Sequence, residues 1–422
     1  MRPIPVLCLS LMMMLFQSLS AQTRTPAIYV DSYKDSVLKL INERNSQHDS
    51  IHQATLDSIR TIQAQEKKAK TDTKKKLRVD MKSIRIPQSL EEFKPIFHFP
   101  PVAQYNSGMC WCFCGTSFFE SEVYRLHGKK IKLSELHTVY YEYIEKVRRY
   151  IQTKGDSYVA EGSQTEALFE IWKTYGIVPA ECYTGYLNQD SLHNHEPLLA
   201  EIRSYLDYLK ANEIWDEEQA LNYIRSILNK YLGAPPTQIV YQGKKMTPQA
   251  FLSQVLKLNM DDYASIQSTL AVPFYTYAPY DYVDNWRKTS TTYNLPLDQF
   301  YKIIQESIQK GYSLVIGGDV SEPGYDGFQD AAIVPSFDIP QDYIDQDARE
   351  LRIVNQTSDD DHGIHLIGYT KVDNQDWFLI KDSGRGSRWG KFKGYYFYRH
   401  DYIKLKMLSI IIHKDCVTSY LK

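Results

Sequence analysis

Residues 101–111, PVAQYNSGMCW, place a glutamine six residues before a cysteine that opens an amphipathic pattern. This arrangement constrains the fold because Cys110 would stand in the first turn of a helix, where backbone N–H groups are unpaired. A thiolate there is stabilised by about half a positive charge from the helix dipole. Gln104, in the preceding loop, can aim its NH2 group at a carbonyl oxygen that becomes negative, and the N–H of Cys110 would be a second donor. The segment predicts a reactive thiol next to an oxyanion site.

Two further polar side chains lie at the ends of predicted strands. His362 begins a strand-like pattern in DDHGIHLIGYTK, residues 360–371. Asp382 ends an apolar run in DWFLIKDSGRGSRWGKFKGYYFY, residues 376–398, and a Gly-rich loop follows it. A thiol nucleophile needs a base, and the base needs a group that orients it. The order cysteine, histidine, acid therefore predicts that these side chains act together with Cys110.

These segments resemble the active-site segments of papain-like cysteine peptidases. QYNSGMCW is similar to the family's nucleophile segment, DHGIHLIGY to its histidine strand and IKDSGRGSRWG to its asparagine strand, in the family's order. Residues 160–186 resemble the substrate-groove turn and the helix after it. Residues 231–266 and 300–320 are similar to the bleomycin hydrolase or aminopeptidase C branch, and the resemblance covers about residues 94–415. It implies an α+β, papain-like fold of two lobes, one helical and one β-sheet, with the active site in a cleft between them and a helical insertion.

The resemblance also implies a role for each matched residue. Four would be catalytic and two would bind the backbone of the substrate: Cys110 as nucleophile, His362 as general base and acid, Asp382 as the group that orients His362, Gln104 as oxyanion donor, and Gly162 and Ser163 as the substrate-binding pair.

Three positions depart from the family pattern. The family usually has Asn where this chain has Asp382, Trp where it has Gly384, and a second glycine where it has Ser163. A carboxylate beside His362 favours the imidazolium and hence a thiolate–imidazolium pair. A glycine in place of the aromatic cover would leave the histidine–acid hydrogen bond wetter, and water would screen the same charge. The sequence leaves the balance of these two effects open.

The chain divides into three predicted regions. Residues 1–21 have the pattern of an export signal, with Arg2, an apolar run too short for a stable membrane span, and small residues before a cut after Ser20 or Ala21. We therefore expect an exported protein, periplasmic or secreted, with a retained anchor as the alternative. Residues 22–90 are polar and predicted to be loose helix or linker, acting as a spacer or as a pro-segment. Residues 91–422 would form the peptidase domain, in which residues 187–310 match the branch-specific insertion and predict a helical lid.

Hydrophobic periodicity predicts the element order of that domain. Strands are expected mainly after residue 312, and helices are predicted at 111–127, 135–152, 164–176, 197–212, 216–231, 247–258 and 297–310.

Composition limits the other function classes. The chain has 422 residues and 43% apolar content, enough for a substantial core, and its net charge of −2 gives no basic field for nucleic acid. After removal of the export segment an odd number of cysteines remains, without the spacing of a disulfide framework or of a metal site. No metal and no cofactor are predicted. The five cysteines are Cys110, Cys112, Cys114, Cys182 and Cys416.

Three other histidines lie near these segments or between them, and none has the sequence setting of His362. His365 follows His362 by three residues, so on an extended strand it would face the opposite side and make a poor second base. His193 and His195 lie in a polar, loop-like segment and are predicted to be exposed.

The sequence thus predicts an exported cysteine peptidase acting on peptide substrates. A transglutaminase-like acyltransferase and a catalytically silent peptide-binding homologue are the alternatives. The branch that the chain resembles usually has a longer C-terminal arm that restricts cleavage to free amino termini, whereas only CVTSYLK follows the last predicted strand here. We therefore expect an open groove and endopeptidase or oligopeptidase behaviour, with aminopeptidase action as the other reading. The branch also suggests a homo-oligomer, and a monomer is equally open.

Overall fold

The computed structural model describes residues 35–187 and 192–421, so the predicted export segment 1–21 lies outside the described residues. The chain forms two compact units, Met1–Lys75 and Lys76–Lys422. The described part of the first unit is one long helix, α1 (Ser36–Thr73), which begins where the Asp35 carboxylate accepts hydrogen bonds from the N–H groups of Val37 and Leu38. None of its residues is buried.

Helices make up most of the first half of the second unit, and each predicted helix is present with its ends shifted by three residues or fewer. In the described residues of this unit the helices are α2 (Cys110–His127), α3 (Glu135–Gln152), α4 (Ala167–Tyr175), α5 (Glu196–Ala211), α6 (Glu217–Leu232), α7 (Pro248–Ala250, continued by the π-helix Phe251–Leu256), α8 (Leu297–Gln309), α9 (Gln346–Val354) and α10 (His400–Lys406).

The strands form one hairpin and one large sheet. β1 pairs with β2, and the ten remaining strands among the described residues have the spatial order β4–β5–β3–β12–β6–β9–β10–β11–β8–β7. The pairs β3–β5 and β8–β11 are parallel, and the other neighbours are antiparallel. The strands are β1 (Ile239–Tyr241), β2 (Lys244–Met246), β3 (Tyr263–Gln267), β4 (Tyr277–Ala278), β5 (Thr292–Asn294), β6 (Leu314–Gly318), β7 (Tyr325–Asp326), β8 (Ala331–Ala332), β9 (His362–Val372), β10 (Gln375–Lys381), β11 (Tyr395–Arg399) and β12 (Met407–His413).

The segment 187–310 is only partly the helical insertion that the sequence predicted. Its described residues form α5, α6 and α7, but β3, β4 and β5 then join the large sheet. The prediction of a wholly helical segment is wrong because β3, YASIQ, is buried along its whole length beside β12. A strand covered on both faces lacks the alternation by which strands are recognised.

The sheet carries a core on each face. Along β6 the side chains alternate, so that Val315 faces the cluster formed by the helices α2 to α7, while Leu314 and Ile316 face a second cluster that includes α8. α2 lies directly against β9, and this contact requires a glycine. A Cβ atom at Gly363 would stand 3.0 Å from the sulfur of Cys114 and 3.5 Å from the Cα atom of Trp111.

His193 and His195 are buried, and the prediction that they are exposed is wrong. Their segment pairs with the loop before α2, because Asn106 N–H donates to the carbonyl of His193 and His195 N–H donates to the carbonyl of Asn106. The ring of His193 stacks on Tyr186 and meets Phe113 edge-on.

No helix in residues 35–187 and 192–421 is long and apolar enough to cross a membrane.

Candidate active site

Three polar side chains meet at the ends of α2, β9 and β10. Cys110 is the first residue of α2, His362 is the first residue of β9, and Asp382 directly follows the last residue of β10. β9 and β10 are antiparallel neighbours, so the start of one strand and the end of the other share an edge of the sheet. The packing of α2 on β9 brings Cys110 to the same edge. The three residues that the sequence singled out therefore lie together.

His362 lies between the other two. Its Nε2 atom is 2.7 Å from Oδ1 of Asp382, and half-buried Cys110 lines the same small cavity as His362 and interacts with its ring. Only 9% of the His362 side chain is exposed, and the Asp382 side chain is fully buried. Water therefore screens this ion pair little, and the charge of Asp382 acts on His362 although position 384 has no side chain to cover the pair.

The electrostatics favour the charged form of the pair. Burial opposes a charged imidazole, yet the charge and hydrogen bond of Asp382, followed by the interaction with Cys110, raise the pKa of His362 well above its ordinary value. Burial likewise opposes the carboxylate, but His362, the N–H of Gly384 and the hydroxyl of Tyr325 lower the pKa of Asp382. An imidazolium beside a carboxylate and a thiol can stabilise a thiolate and later donate a proton.

Gln104 is held by groups on both sides of the cleft. Its backbone N–H donates to the carbonyl of Ser383, and its Oε1 atom accepts a hydrogen bond of 2.7 Å from the Ser383 hydroxyl. Its Nε2 atom donates to the carbonyl of Ser107 at 2.7 Å. A primary amide carries two N–H donors, so one remains for another acceptor. Ser383, next to Asp382, fixes the amide orientation, and no motif in the sequence indicated this contact.

Ser163 turns its side chain away from the cleft. Its hydroxyl donates to Glu142 at 2.5 Å, and that carboxylate is also held by the indole of Trp286 and by two hydrogen bonds from Arg287. Ser163 also lines the small cavity beside Cys110. In the described part of the chain, no backbone group bonds its N–H or its carbonyl. A serine in place of the family's glycine is thus accommodated without filling the groove.

Gly162 lies under a carboxylate from the segment between β4 and β5. A Cβ atom at Gly162 would stand 2.3 Å from Oδ2 of Asp284, so the space above this glycine is occupied. Asp284 therefore narrows the groove at Gly162. From below, buried Lys146 donates to the carbonyls of Ala160 and Gly162, and burial lowers the pKa of its amine to about 8.

The cleft beside Cys110 is acidic. Asp284 and Asp360 line the same small cavity as Cys110 and His362, with a volume of about 40 Å³. Gln164 donates to Asp360 at 3.2 Å, and burial raises the pKa of Asp360 to about 7. Burial also raises the pKa of Asp284. The sequence indicated a role for neither residue, because Asp284 belongs to no motif and Asp360 stands just before the part of segment 360–371 that resembles the histidine strand.

Two larger cavities flank this point. One, of about 300 Å³, continues past Ser163 and Asp284 to Trp286 and Arg287. The other, of about 610 Å³, lies on the side of Gln104 and is bounded by Gly108, Glu161, Arg203, Gly384 and Arg385. Cys110 thus stands between two spaces, each of a size that admits side chains of a peptide.

The other cysteines are placed differently from Cys110. Cys112 and Cys114 are buried, and burial raises the pKa of both thiols. Across residues 35–187 and 192–421 the cysteines are unpaired, and no group of three His, Cys, Asp or Glu side chains could hold a metal ion. His365 faces away from the cleft and bonds the hydroxyl of Ser117 at 2.8 Å.

Comparison with known proteins identifies the family and the fold. The model of the Peptidase C1-like family matches residues 43–422. The crystal structure of PepW from Lactobacillus rhamnosis HN001 has 20% sequence identity to the chain and a TM-score of 0.62, over 82% of this chain and 86% of that chain. A structure from work on the mite allergens Blo t 1 and Der p 1 has 14% identity and a TM-score of 0.37, over 80% of this chain and 74% of that chain. No curated protein matches this sequence.

The chain belongs to the Peptidase C1-like family, and it is a cysteine peptidase with mixed helices and sheet. The predicted resemblance to papain-like peptidases and the predicted α+β fold are confirmed. The roles of the individual site residues stay predictions.

Proposed function

We propose that this peptidase hydrolyses peptide bonds with Cys110 as nucleophile, His362 as acid and base, Asp382 as the orienter of His362, and Gln104 as an oxyanion donor. The observation that carries the proposal is the buried hydrogen bond of 2.7 Å between His362 and Asp382, with Cys110 beside His362 in the same small cavity. Peptides are the substrates implied by the family.

The reaction follows from these contacts. The thiolate of Cys110 attacks the carbonyl carbon. The negative oxygen accepts hydrogen bonds from the free N–H of the Gln104 amide and from the backbone N–H of Cys110. His362 gives its proton to the departing amine as the C–N bond breaks, which leaves a thioester. Neutral His362 then takes a proton from water, which attacks the thioester and releases the acid. Each turnover returns the thiolate and the imidazolium.

We also propose that the substrate enters by its free amino end. His362 protonates the leaving amine, so the leaving group lies on the His362 side and the acyl part lies toward Gly162 and Ser163. On that side Asp284 occupies the space above Gly162, which leaves room for few residues before the scissile bond. A carboxylate in that place pairs with an ammonium group and repels a C-terminal carboxylate. Aminopeptidase action therefore fits better than cleavage within a long chain.

A fluorogenic peptide assay tests the reaction and its alternatives. Parent enzyme should hydrolyse the peptide, and Cys110→Ala should not, while Cys112→Ala stays active because its buried thiol is out of reach. Incorporation of a primary-amine acceptor in place of water would favour the acyltransferase. Binding without turnover of either kind would favour the silent homologue.

Matched peptides with free and acetylated amino termini test the amino-end proposal. We expect the acetylated peptide to be cleaved much more slowly. Asp284→Asn should raise KM for the free-amine peptide about tenfold, the effect of losing about 1.4 kcal/mol of charge pairing. Asp281→Asn, an exposed aspartate in the same segment, is the matched control and should leave KM unchanged. Equal cleavage of both peptides by the parent enzyme would reject the proposal.

Export through residues 1–21 also stays a proposal, supported by the sequence pattern alone. N-terminal sequencing of the protein recovered outside the cytoplasm should give a start at Ala21 or Gln22. Recovery of the intact terminus in a membrane fraction would support the retained anchor instead.

A further inference from the structure

Asp382 receives three hydrogen bonds on two oxygens. Oδ1 accepts from Nε2 of His362 at 2.7 Å and from the backbone N–H of Gly384 at 2.7 Å. Oδ2 accepts from the hydroxyl of Tyr325 at 3.0 Å. Tyr325 lies on β7, at the far edge of the sheet from β4 in strand order, and no sequence motif pointed to it.

A carboxylate needs such a donor, whereas the family's asparagine would not. Ionised Asp has only acceptors, while Asn presents an oxygen on one side and an NH2 group on the other. A buried carboxylate oxygen without a donor is costly. Because this chain has Asp where the family has Asn, the carboxylate oxygen that faces away from His362 needs a hydrogen-bond donor. The hydroxyl of Tyr325 is that donor. Its ring is fixed by stacking on Tyr396, with ring centres 4.4 Å apart.

The glycine at 384 makes this contact more important. A Cβ atom there would lie 3.2 Å from Oδ1 of Asp382 and 3.3 Å from Nε2 of His362, so position 384 directly covers the pair. With no side chain at that position, the orientation of the carboxylate depends on the backbone N–H of Gly384 and on the Tyr325 hydroxyl.

We propose that Tyr325 is a positioning residue for the His362–Asp382 pair. Its hydroxyl holds the carboxylate in the orientation that accepts from His362 and withdraws part of its negative charge. The inference rests on the proposed function, since it assigns Tyr325 to the same catalytic pair. By weakening the field of Asp382 at the imidazole, Tyr325 sets the upper end of the pH range in which the thiolate–imidazolium pair persists.

The groups facing this pair come from several elements. They are Cys110 and Cys114 on α2, Tyr396 and Tyr398 on β11, and Asp360 and Asp361 directly before β9. Lys381, directly before Asp382, is a cationic neighbour that lines a small cavity with it, and burial lowers the pKa of its amine to about 8. Among the described residues, Tyr325 and His362 are the side chains that donate hydrogen bonds to the Asp382 carboxylate.

The test is the substitution Tyr325→Phe, read in the pH dependence of kcat/KM. Loss of the donor leaves more charge on Asp382, so the imidazolium persists to higher pH and the basic limb should move upward. Looser orientation of the pair should lower kcat about tenfold with KM changed less than about twofold. Tyr402→Phe is the matched control, because it removes a buried tyrosine hydroxyl that donates to the carbonyl of Asp319 instead. Its pH profile should match the parent.

Two further variants keep the inference testable if Tyr325→Phe folds poorly. In an Asp382→Asn background there is no carboxylate charge for the Tyr325 hydroxyl to weaken. Tyr325→Phe should therefore no longer move the basic limb upward. A 3-fluorotyrosine at position 325 keeps the ring and donates more strongly, so it should move the basic limb downward. An unchanged basic limb with 3-fluorotyrosine, or with Tyr325→Phe where it folds, would overturn the inference while leaving the proposed function standing. Activity in Cys110→Ala would instead reject the proposed function itself.

Discussion

At the scale of single residues, a carboxylate at position 382 changes what the histidine partner can do. An amide can orient the imidazole, but a carboxylate also stabilises its charged form, and here the contact is buried enough for the charge to act at nearly full strength. The position was visible in the sequence because Asp382 ends an apolar strand within a motif. The strength of its contact with His362 was not visible, because the carboxylate is also held by Tyr325, which the fold brings in from β7, and by the backbone N–H of Gly384.

The Asp382→Asn variant should keep measurable activity, but the pH range in which it is active should be narrower. The amide oxygen still accepts the N–H of His362, so the ring stays oriented, whereas Asp382→Ala should lose far more activity. Since the charge of Asp382 raises the pKa of His362, its removal lowers that pKa, and the imidazolium is lost at lower pH. The basic limb of kcat/KM should fall by about one pH unit or more. Superimposable profiles for parent and Asp382→Asn would contradict this assignment.

At the scale of elements, local periodicity was enough for the helices but not for every strand. α3 is an example, because Ser134 caps it by accepting from the N–H of His137 and its apolar residues recur on one face. β3 was missed because both of its faces are buried, and only pairing with β12 and β5 distinguishes it from a buried helical segment. Asp284 was missed for a related reason, since its place over Gly162 depends on how the segment between β4 and β5 folds back.

The contact between α2 and β9 should set the distance between the nucleophile and its base. Gly363→Ala would place a methyl group 3.0 Å from the sulfur of Cys114, a tight contact that α2 or the Cys114 side chain must relieve by a small shift. We expect a loss of about 1–3 kcal/mol in the free energy of unfolding, together with a lower kcat, because Cys110 moves with the helix. Gly386→Ala is the matched control, since the nearest atom to its Cβ is at 3.5 Å. Urea unfolding and kcat should both be measured, and an effect on neither would show that the helix is not held at this point.

At the scale of the whole molecule, the second unit contains the cores on both faces of the sheet and every candidate site residue. The first unit contributes no buried residue from its described part. Burial of apolar side chains is the main stabilising contribution to folding, so the stability of the second unit should not depend on α1. The two hypotheses for residues 22–90, spacer or pro-segment, then predict different peptidase activities but the same stability for the second unit.

A chain that begins at Lys76 separates these readings. We expect it to fold, to unfold at the same temperature as the longer chain and to hydrolyse the same fluorogenic peptide with unchanged kcat/KM, because α1 buries none of its side chains. A rise in kcat/KM on truncation, reversed by adding residues 35–75 as a separate peptide, would identify a pro-segment. A lower unfolding temperature would mean that the first unit stabilises the second. As a control, a chain that begins at Pro95 should unfold at a lower temperature, because it also removes Met81 and Phe93, which belong to a buried cluster with Trp377 and Phe397.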